Sequence, residues 1–351
     1  MKKTALTIVL LGSCFALALA GMTAFNLYDT FVAEHEAQAE YLQDSSSATT
    51  STSGSSSSST TTSTSSSSGT SASTSTSTST STSTSTSTSS GSSTSSPYSS
   101  TSVSLVTKSA TNSNNVTSKY YIADIKLRSY DDLKTHMVLS SSGSPGSGYK
   151  ETVSSHISDI KSAGETPLVA IDGDSAYYSS YRKGYVIRNG LKYRSSTQTT
   201  SGTGTTSGDD FATYKDGTAK AFVETTTTTT DLMNAGCYNC WCFGPTLLEN
   251  STIQVTSDED VYQCKGANQR TAIGYIDAYH FVFFVSEGRV NNSSVDGFSL
   301  YEMAGLLKDY GCTIAYNLDG GGASYLWYNG SRINSSSDDR SVGDIVYVKA
   351  S

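Results

Sequence analysis

Three consecutive glycines follow a predicted strand in the last tenth of the chain, within the segment 317–324 (Asn-Leu-Asp-Gly-Gly-Gly-Ala-Ser). Glycine loses more backbone entropy on folding than any other residue, so a run of three is unfavourable unless the backbone needs the freedom. One interpretation is an anion-binding nest, in which the N–H groups of Gly320, Gly321 and Gly322 contact a ligand and Asp319 lies at the rim. The alternative is a tight connection between strands with no chemical role.

The histidines and cysteines do not predict a metal centre. The sequence shows no His-rich cluster that indicates zinc, and His280 lies in an apolar strand, where a hydrogen-bonded sheet histidine is favoured over a catalytic one. Segment 237–242 (Cys-Tyr-Asn-Cys-Trp-Cys) has the wrong spacing for a standard zinc site, so buried thiols are expected. We expect no cofactor; Ca²⁺ held by aspartates is left open, although the chain has no EF-hand loop.

Charge excludes one broad class of function. The formal net charge is −8, and no run of basic residues is longer than the pair Lys2–Lys3. Nucleic-acid binding needs a basic surface that neutralises phosphates, so we expect no nucleic-acid partner. The 23 tyrosines suit a surface that meets sugars, although strand-forming core positions are the commoner use of tyrosine.

The first 28 residues predict a transmembrane signal-anchor. Lys2 and Lys3 precede an apolar stretch from Ala5 to about Phe25, and roughly 20 apolar residues suffice to cross a bilayer as a helix. Positive charge before the stretch predicts a cytoplasmic N-terminus with the rest of the chain outside. A cleaved signal peptide ending near Ala20 and a lipoprotein modified at Cys14 are the alternatives, and all three export the protein. We therefore expect a single-pass protein of the cell membrane, held there by its N-terminal helix.

Two segments separate this anchor from the folded part. Residues 29–44 are acidic and predict a short juxtamembrane segment, whereas residues 45–102 are almost entirely Ser, Thr and Gly. The Ser/Thr-rich linker has too little apolar surface to offset the entropy of ordering, so it is expected to be a disordered spacer. As a random coil it would span roughly 40–45 Å.

Residues 103–351 predict one α+β domain with a mixed, largely antiparallel sheet and a few packed helices. Asn-Gly pairs at 189–190 and 329–330 predict two tight hairpins. A Ser299–Glu302 capping box predicts the start of a helix that ends at Gly311. Further predicted elements are strands at 120–127, 168–171, 185–188, 191–193, 271–275, 280–286 and 313–317, and helices at 130–139 and 150–163.

The order of these motifs resembles the phosphodiester glycosidase family, whose bacterial members are often described as exopolysaccharide-biosynthesis proteins. The resemblance extends from about Tyr121 to Val348. It is carried by the following segments: 171–174 (Ile-Asp-Gly-Asp), 184–190 (Gly-Tyr-Val-Ile-Arg-Asn-Gly), 243–245 (Phe-Gly-Pro), 270–274 (Arg-Thr-Ala-Ile-Gly), 287–289 (Glu-Gly-Arg), the helix 297–311, 317–324 and 340–348.

The resemblance implies an extracytoplasmic hydrolase of glycosyl-1-phosphodiesters in envelope or secreted polysaccharide, with a carbohydrate or sugar-phosphate substrate. The leaving group is a phosphate monoester, so its charge needs cationic and N–H stabilisation, and a carboxylate must attack the anomeric carbon or activate water. Candidate catalytic carboxylates are Asp172, Asp174, Glu287 and Asp319. Candidate substrate and phosphate ligands are Arg270, Arg289, Arg340, Asn317 and Gly320, Gly321 and Gly322.

Each candidate also has a structural interpretation. The arginines could form salt bridges at the surface or at a sheet edge, and Asp174 could only shape a turn. The chain departs from the family pattern at Asp172, Gln269, Glu287 and Ala323, where Asn, Pro, Asp and Ser are usual. An inactive glycan-binding module on the same fold is therefore the alternative function, and we expect the carboxylates and arginines to converge on one cleft beside the glycines.

Overall fold

A computed structural model describes residues 95–351, apart from residues 142, 144, 146–148, 175–183, 198–207, 258–265, 289–294 and 336–338. The predicted anchor, the juxtamembrane segment and almost all of the Ser/Thr-rich linker lie outside the described residues, as does Arg289. Within the described part of the chain, no helix has the length and apolar character needed to span a membrane.

The described strands form three sheets, and every pairing between them is antiparallel. The largest sheet has the order β1(Ser102–Thr111), β2(Thr117–Lys126), β13(His280–Ser286), β12(Thr271–Asp277), β14(Ile314–Asn317), β10(Thr246–Glu249), β11(Thr252–Ile253). The second has the order β16(Ser331–Arg332), β15(Leu326–Tyr328), β4(Pro167–Asp172), β17(Asp344–Lys349), β3(Leu133–Met137). The third has the order β6(Leu191–Arg194), β5(Val186–Arg188), β9(Cys237–Trp241), β7(Asp209–Tyr214), β8(Ala219–Val223).

Because side chains alternate in direction along each strand, the hydrophobic core is divided between the two faces of the largest sheet. In β2, Tyr121 and Ala123 pack into the main core together with Phe281 of β13. Tyr120 and Ile122 point to the opposite face and pack into a second cluster. Successive side chains of a strand point to opposite faces, so a strand buried on both sides reads as an almost continuous apolar run.

Three α-helices are present among the described residues: α1(Val153–Ser162), α2(Thr229–Asn234) and α3(Leu300–Tyr310). Helix α3 begins with the predicted capping box of Ser299 and Glu302 and ends at Gly311, which has a left-handed φ of 109°. Its apolar face packs against the second cluster of the largest sheet. Helix α1 packs against the second sheet through Val153, Ile157 and Ile160.

Both predicted Asn-Gly hairpins are present. Asn189 and Gly190 adopt φ values of 52° and 80° between β5 and β6, and Asn329 and Gly330 adopt 45° and 98° between β15 and β16. Two positive φ values are the requirement of a two-residue turn whose twist matches the strands.

The predicted fold class needs correction in two respects. The described chain has more strand than an average α+β domain, and its sheets are antiparallel without a parallel pairing among the described strands. The predicted helix at 130–139 is wrong, because Tyr130–Asp132 is a 3₁₀ turn that leads into β3. In β3 the side chains of Leu133 and Thr135 both point into the protein and are buried. Pairing with β17 decides that this short segment is a strand. Strand β1 also begins earlier than the first predicted strand.

Candidate active site

Asp319 lies just beyond the end of β14 and forms an ion pair at the protein surface. Arg340 Nη2 is 3.0 Å from both carboxylate oxygens of Asp319, and the Gly320 N–H donates to Asp319 Oδ1 at 2.9 Å. The Asp319 side chain is 11% exposed, whereas that of Arg340 is 51% exposed. The pair therefore presents a carboxylate and a guanidinium to the same solvent-facing space.

The backbone fixes the position of Asp319. Its N–H donates to the Gly173 carbonyl at 3.1 Å, and the Leu318 N–H donates to the Thr271 carbonyl at 3.0 Å. These bonds tie the end of β14 to the end of β4 and to the start of β12. Three separate segments of the chain thus converge on the carboxylate.

The expected anion nest is not formed by the first two glycines. The Gly320 N–H donates to Asp319 and the Gly321 N–H donates to the Gln269 carbonyl at 3.1 Å. The segment Gly321–Ala323 is a 3₁₀ turn, in which the Ala323 and Ser324 amides also donate to backbone carbonyls. Two of the three amides that we predicted to contact phosphate are therefore used within the protein, because the loop closes on itself.

The glycines are required for two different geometric reasons. A Cβ on Gly320 would lie 3.1 Å from the Gln269 carbonyl oxygen, which is tighter than an ordinary van der Waals contact. Gly321 has a φ of +60°, and a Cβ built there meets no atom within 4 Å. Gly320 thus allows a close backbone approach, while Gly321 takes a left-handed turn beside open space.

Asp172, the last residue of β4, is a buried carboxyl close to Asp319. Its Oδ1 accepts hydrogen bonds from the Thr271 hydroxyl at 2.8 Å and from the Tyr325 N–H at 2.9 Å. Burial, and then the negative charge of Asp319, raise the pKa of Asp172 well above its ordinary value. Asp172 is fully buried, and its hydrogen bonds connect the loops around Asp319; its catalytic role stays a prediction.

The raised pKa of Asp172 predicts a pH effect on stability. A carboxyl whose pKa is higher in the folded state contributes stability at low pH, and that contribution is lost as the pH rises through the folded pKa. We expect the Asp172→Asn variant to gain stability relative to the wild type as the pH rises from 4 to 8. Urea unfolding at several pH values measures this difference, and parallel stability curves for the two proteins would contradict it.

Asp174 belongs to a buried ion-pair network that extends from the site into the third sheet. Arg188 Nε donates to Asp344 Oδ2 at 2.8 Å, and Arg188 Nη2 lies 3.5 Å from Asp174 Oδ2. The Asp174 N–H donates to Asp344 Oδ1, and Asp174 Oδ2 accepts from the Cys242 N–H. Burial raises the pKa of Asp344 to about 6, although Arg188 opposes this shift. These contacts make Asp174 more than a turn-forming residue, and its catalytic role stays a prediction.

Glu287 connects two further segments of the chain by hydrogen bonds. Its Oε1 accepts from the Tyr121 hydroxyl at 2.8 Å and from the Ser335 N–H at 2.9 Å, and its Oε2 accepts from the Ser335 hydroxyl at 3.1 Å. The preceding strand β13 and the chain after β16 are joined by these bonds. Glu287 is buried, and its hydrogen bonds hold these two segments together.

Two further candidates support neighbouring loops. Arg270 is only 4% exposed, and its guanidinium donates to the carbonyls of Phe298 at 3.0 Å and Gly266 at 2.7 Å. Asn317 Nδ2 donates to the Gly244 carbonyl at 2.7 Å. The Arg270 guanidinium is thus turned towards backbone carbonyls, and its contact with phosphate stays a prediction.

The predicted residues thus form two groups. Asp172, Asp319, Gly320–Gly322 and Arg340 lie together at the ends of β4 and β14, and Gln269 connects them to Arg270 and to Glu287–Gly288. Sequence reasoning missed Arg188, Asp344 and Ser335 as partners in this region. A charged residue inside an otherwise apolar strand, as Arg188 is in β5, was the available signal.

A separate cavity of about 330 Å³ does not include these residues. It is lined by Asp209, Ala221, Phe222, Val223, Pro245, Thr246, Glu249, Gln254 and Val255. A cavity of this size suits a small ligand, but it lacks a cationic side chain among its lining residues. The cavity is therefore separate from the ion pair of Asp319 and Arg340.

Other predicted residues lie away from the site. His280 Nε2 lies 3.1 Å from Asp124 Oδ1 on the far part of the largest sheet, which confirms a sheet histidine. Cys237, Cys240, Cys242 and Cys312 are buried free thiols, as expected for the described cysteines.

Comparison with known proteins supports the family resemblance. The model of the family described as "Phosphodiester glycosidase" matches residues 165–349. A curated relative is the SPbeta prophage-derived uncharacterized protein YomE of Bacillus subtilis (strain 168), which is 32% identical over 140 residues. That match covers 38% of this chain and 21% of the relative, so the chain spans about a fifth of the relative's length.

Solved structures show the same fold. The catalytic domain of zebrafish N-acetylglucosamine-1-phosphodiester alpha-N-acetylglucosaminidase, auto-inhibited by its pro-peptide, superposes with a TM-score of 0.51 at 18% identity. This match covers 71% of the present chain and 83% of the zebrafish chain. A hypothetical protein from Synechocystis matches with a TM-score of 0.50 at 12% identity, over 71% of this chain and 62% of that one.

Proposed function

Because the chain belongs to the phosphodiester glycosidase family, we propose that it hydrolyses the glycosidic bond of glycosyl-1-phosphodiesters. One observation carries the proposal. Asp319 and the half-exposed Arg340 stand side by side at the protein surface, next to the open space in front of Gly321. A carboxylate and a guanidinium are the two groups that this reaction needs at the anomeric carbon and at the phosphate.

Arg340 is suited to hold the phosphate of the substrate. Its Nη2 is used by Asp319 and by the Gly320 carbonyl at 3.3 Å. Its Nε and Nη1 have no partner among the described residues, so these N–H donors are available for phosphate oxygens. Charge on the phosphate grows as the glycosidic bond breaks, so this contact strengthens in the transition state.

Asp319 is suited to act on the anomeric carbon. Once Arg340 holds the phosphate, the adjacent carboxylate can attack the anomeric carbon directly or accept a proton from the attacking water. The departing phosphate monoester is a good leaving group, so the site does not need a strong general acid on the other side of the bond. This agrees with the full burial of the carboxyl of Asp172.

The proposed setting of the reaction rests on the sequence. The predicted anchor and the Ser/Thr-rich linker favour a domain held outside the cell membrane, where glycosyl phosphodiesters occur in envelope and secreted polysaccharides. The full chain should then fractionate with membranes and be accessible to protease added to intact cells.

We expect Arg340→Gln to lower kcat/KM by about 10²- to 10³-fold, because the charge that stabilises the leaving phosphate is lost. Arg340→Lys should retain part of the activity, since it keeps the charge and loses the directed N–H donors of the guanidinium. Steady-state kinetics on a glycosyl-1-phosphodiester measure both variants. Arg128→Gln, at an exposed position away from the site, is the matched control. Wild-type kcat/KM in Arg340→Gln would rule out this role.

The full chain should be assayed against a panel of sugar-1-phosphate diesters that differ in sugar and in the group on the far side of the phosphate. Turnover that depends on Asp319 supports the hydrolase. Tight binding of a panel member without turnover would instead support the inactive glycan-binding module.

A further inference from the structure

Two histidines and one glutamate converge on the outer edge of the second sheet. His136 is in β3, Glu151 lies just before α1, and His156 is in the second turn of α1. The Nδ1 atoms of His136 and His156 are 2.8 Å apart, and Glu151 Oε1 is 3.2 Å from His156 Nδ1 and 4.0 Å from His136 Nδ1. All three ligand-type atoms lie within 4.8 Å of one another.

The hydrogen bonds around this cluster leave lone pairs facing inward. His156 Nε2 is 3.1 Å from the Val342 carbonyl oxygen, which can only accept, so this nitrogen carries a hydrogen. A neutral His156 therefore presents the lone pair of Nδ1 to the cluster, where it accepts a hydrogen bond from His136 Nδ1, and a metal ion would take the place of that hydrogen. Glu151 Oε1 is buried and accepts no hydrogen bond from the described residues. Two acceptors facing each other at 3.2 Å are stabilised by a cation between them.

The same backbone segment positions both groups. The Glu151 N–H donates to the Val342 carbonyl at 2.9 Å, and the Val342 N–H donates back to the Glu151 carbonyl at 2.8 Å. Val342 thus orients His156 and Glu151 together, in the way that outer contacts orient the ligands of metal sites.

We propose that His136, Glu151 and His156 bind one divalent transition-metal ion, with zinc as the best match to the ligands. In a tetrahedral zinc site with ligand bonds of 2.0–2.1 Å, the ligand atoms lie about 3.3 Å apart. The three observed separations of 2.8, 3.2 and 4.0 Å bracket this value. Two imidazoles with one carboxylate suit zinc, whereas Ca²⁺ and Mg²⁺ prefer sites made of oxygen ligands.

The site has room for a fourth ligand from solvent. His136 and Glu151 side chains are 30% and 25% exposed, while His156 is fully buried. A water molecule can therefore complete the coordination on the exposed side. The ion would join edge strand β3 to helix α1 across the connecting segment 138–152.

This metal site is separate from the proposed active site. His136 and Asp172 both pair with Ile345, from opposite sides of β17. Strand β17 thus lies between the two sites, and neither Asp319 nor Arg340 belongs to the cluster. From the sequence we expected no metal ligands. The intervals between these three residues match no zinc motif, so only the fold brings them together.

Metal binding by the full chain tests the proposal without reference to hydrolysis. After removal of metal with a chelator, we expect the wild type to bind one equivalent of Zn²⁺ by calorimetry, and Co²⁺ to give the visible absorption of a tetrahedral site. His136→Gln should weaken Zn²⁺ binding by at least about 100-fold. This variant is preferred because His136 is partly exposed, and circular dichroism verifies its fold.

His280→Gln is the matched control, because His280 also faces a carboxylate, that of Asp124, and lies on the largest sheet. It should bind Zn²⁺ like the wild type, and Zn²⁺ should raise the melting temperature of both but not that of His136→Gln. Absence of Zn²⁺ and Co²⁺ binding in the wild type would overturn the proposal. So would equal Zn²⁺ affinity in a folded His136→Gln variant.

Discussion

Replacement of Asp319 by Asn is expected to lower kcat for a glycosyl-1-phosphodiester by about 10³-fold or more, with little effect on folding. The amide keeps the shape of the side chain and one oxygen for Arg340, but it can neither attack the anomeric carbon nor accept a proton from water. Because the Arg340 side chain, which loses its charged partner, is half exposed, little buried charge is left unpaired. Steady-state kinetics and thermal unfolding of the two proteins give the comparison.

Asp216→Asn is the matched control for this substitution. Its carboxylate is exposed and accepts hydrogen bonds within its own turn from Thr218, so the same chemical change occurs away from the site. This control should retain wild-type kinetics. Our assignment fails if Asp319→Asn keeps the wild-type kcat, or if it loses activity only because it has unfolded.

The largest effect on stability is expected from Arg188→Met, at about 3–5 kcal/mol. Arg188 is buried, contacts the carboxylates of Asp344 and Asp174, and lies with its guanidinium 5.4 Å from the centre of the Trp241 ring. Methionine leaves two buried carboxylates without their cation. Chemical denaturation at pH 7 measures the loss.

A second variant and a change of pH test the cause of this loss. Arg188→Met combined with Asp344→Asn should be more stable than Arg188→Met alone, because one uncompensated charge is removed. The loss in Arg188→Met should also shrink as the pH falls, since protonation neutralises Asp344, whose pKa is already raised by burial. A loss that is equal at pH 5 and pH 8 would mean that packing, rather than charge, dominates.

The parts of the fold predicted from sequence are those that local backbone chemistry decides. The Asn-Gly turns, the capping box at Ser299 and the left-handed Gly311 each have a local physical cause, and the structure contains all of them. Strand β3 could not be predicted, because a five-residue segment fits a helix or a strand until β17 pairs with it. Strands β7–β11 were also missed, although Asp216-Gly217 between β7 and β8 is a turn signal of the same kind.

The sequence predicted the location of the candidate site better than the roles of its individual residues. Sequence motifs at strand ends indicated Asp172 and Asp319, and these residues do lie together. Which arginine is exposed beside Asp319 depends on tertiary contacts, and Arg270 is turned towards the Phe298 carbonyl while Arg340 remains half exposed. The separate cluster at His136 depends in the same way on the packing of α1 against the second sheet.

Hydrolysis in ¹⁸O-labelled water tests the central claim most directly, since it identifies the bond that breaks. The full chain is incubated with a glycosyl-1-phosphodiester that it hydrolyses, and the released sugar and phosphate monoester are analysed by mass spectrometry. Attack at the anomeric carbon predicts that the label enters the anomeric hydroxyl and that the phosphate monoester remains unlabelled. Label in the phosphate would mean that a P–O bond is cleaved, and this would contradict the assignment of the chain as a glycosidase.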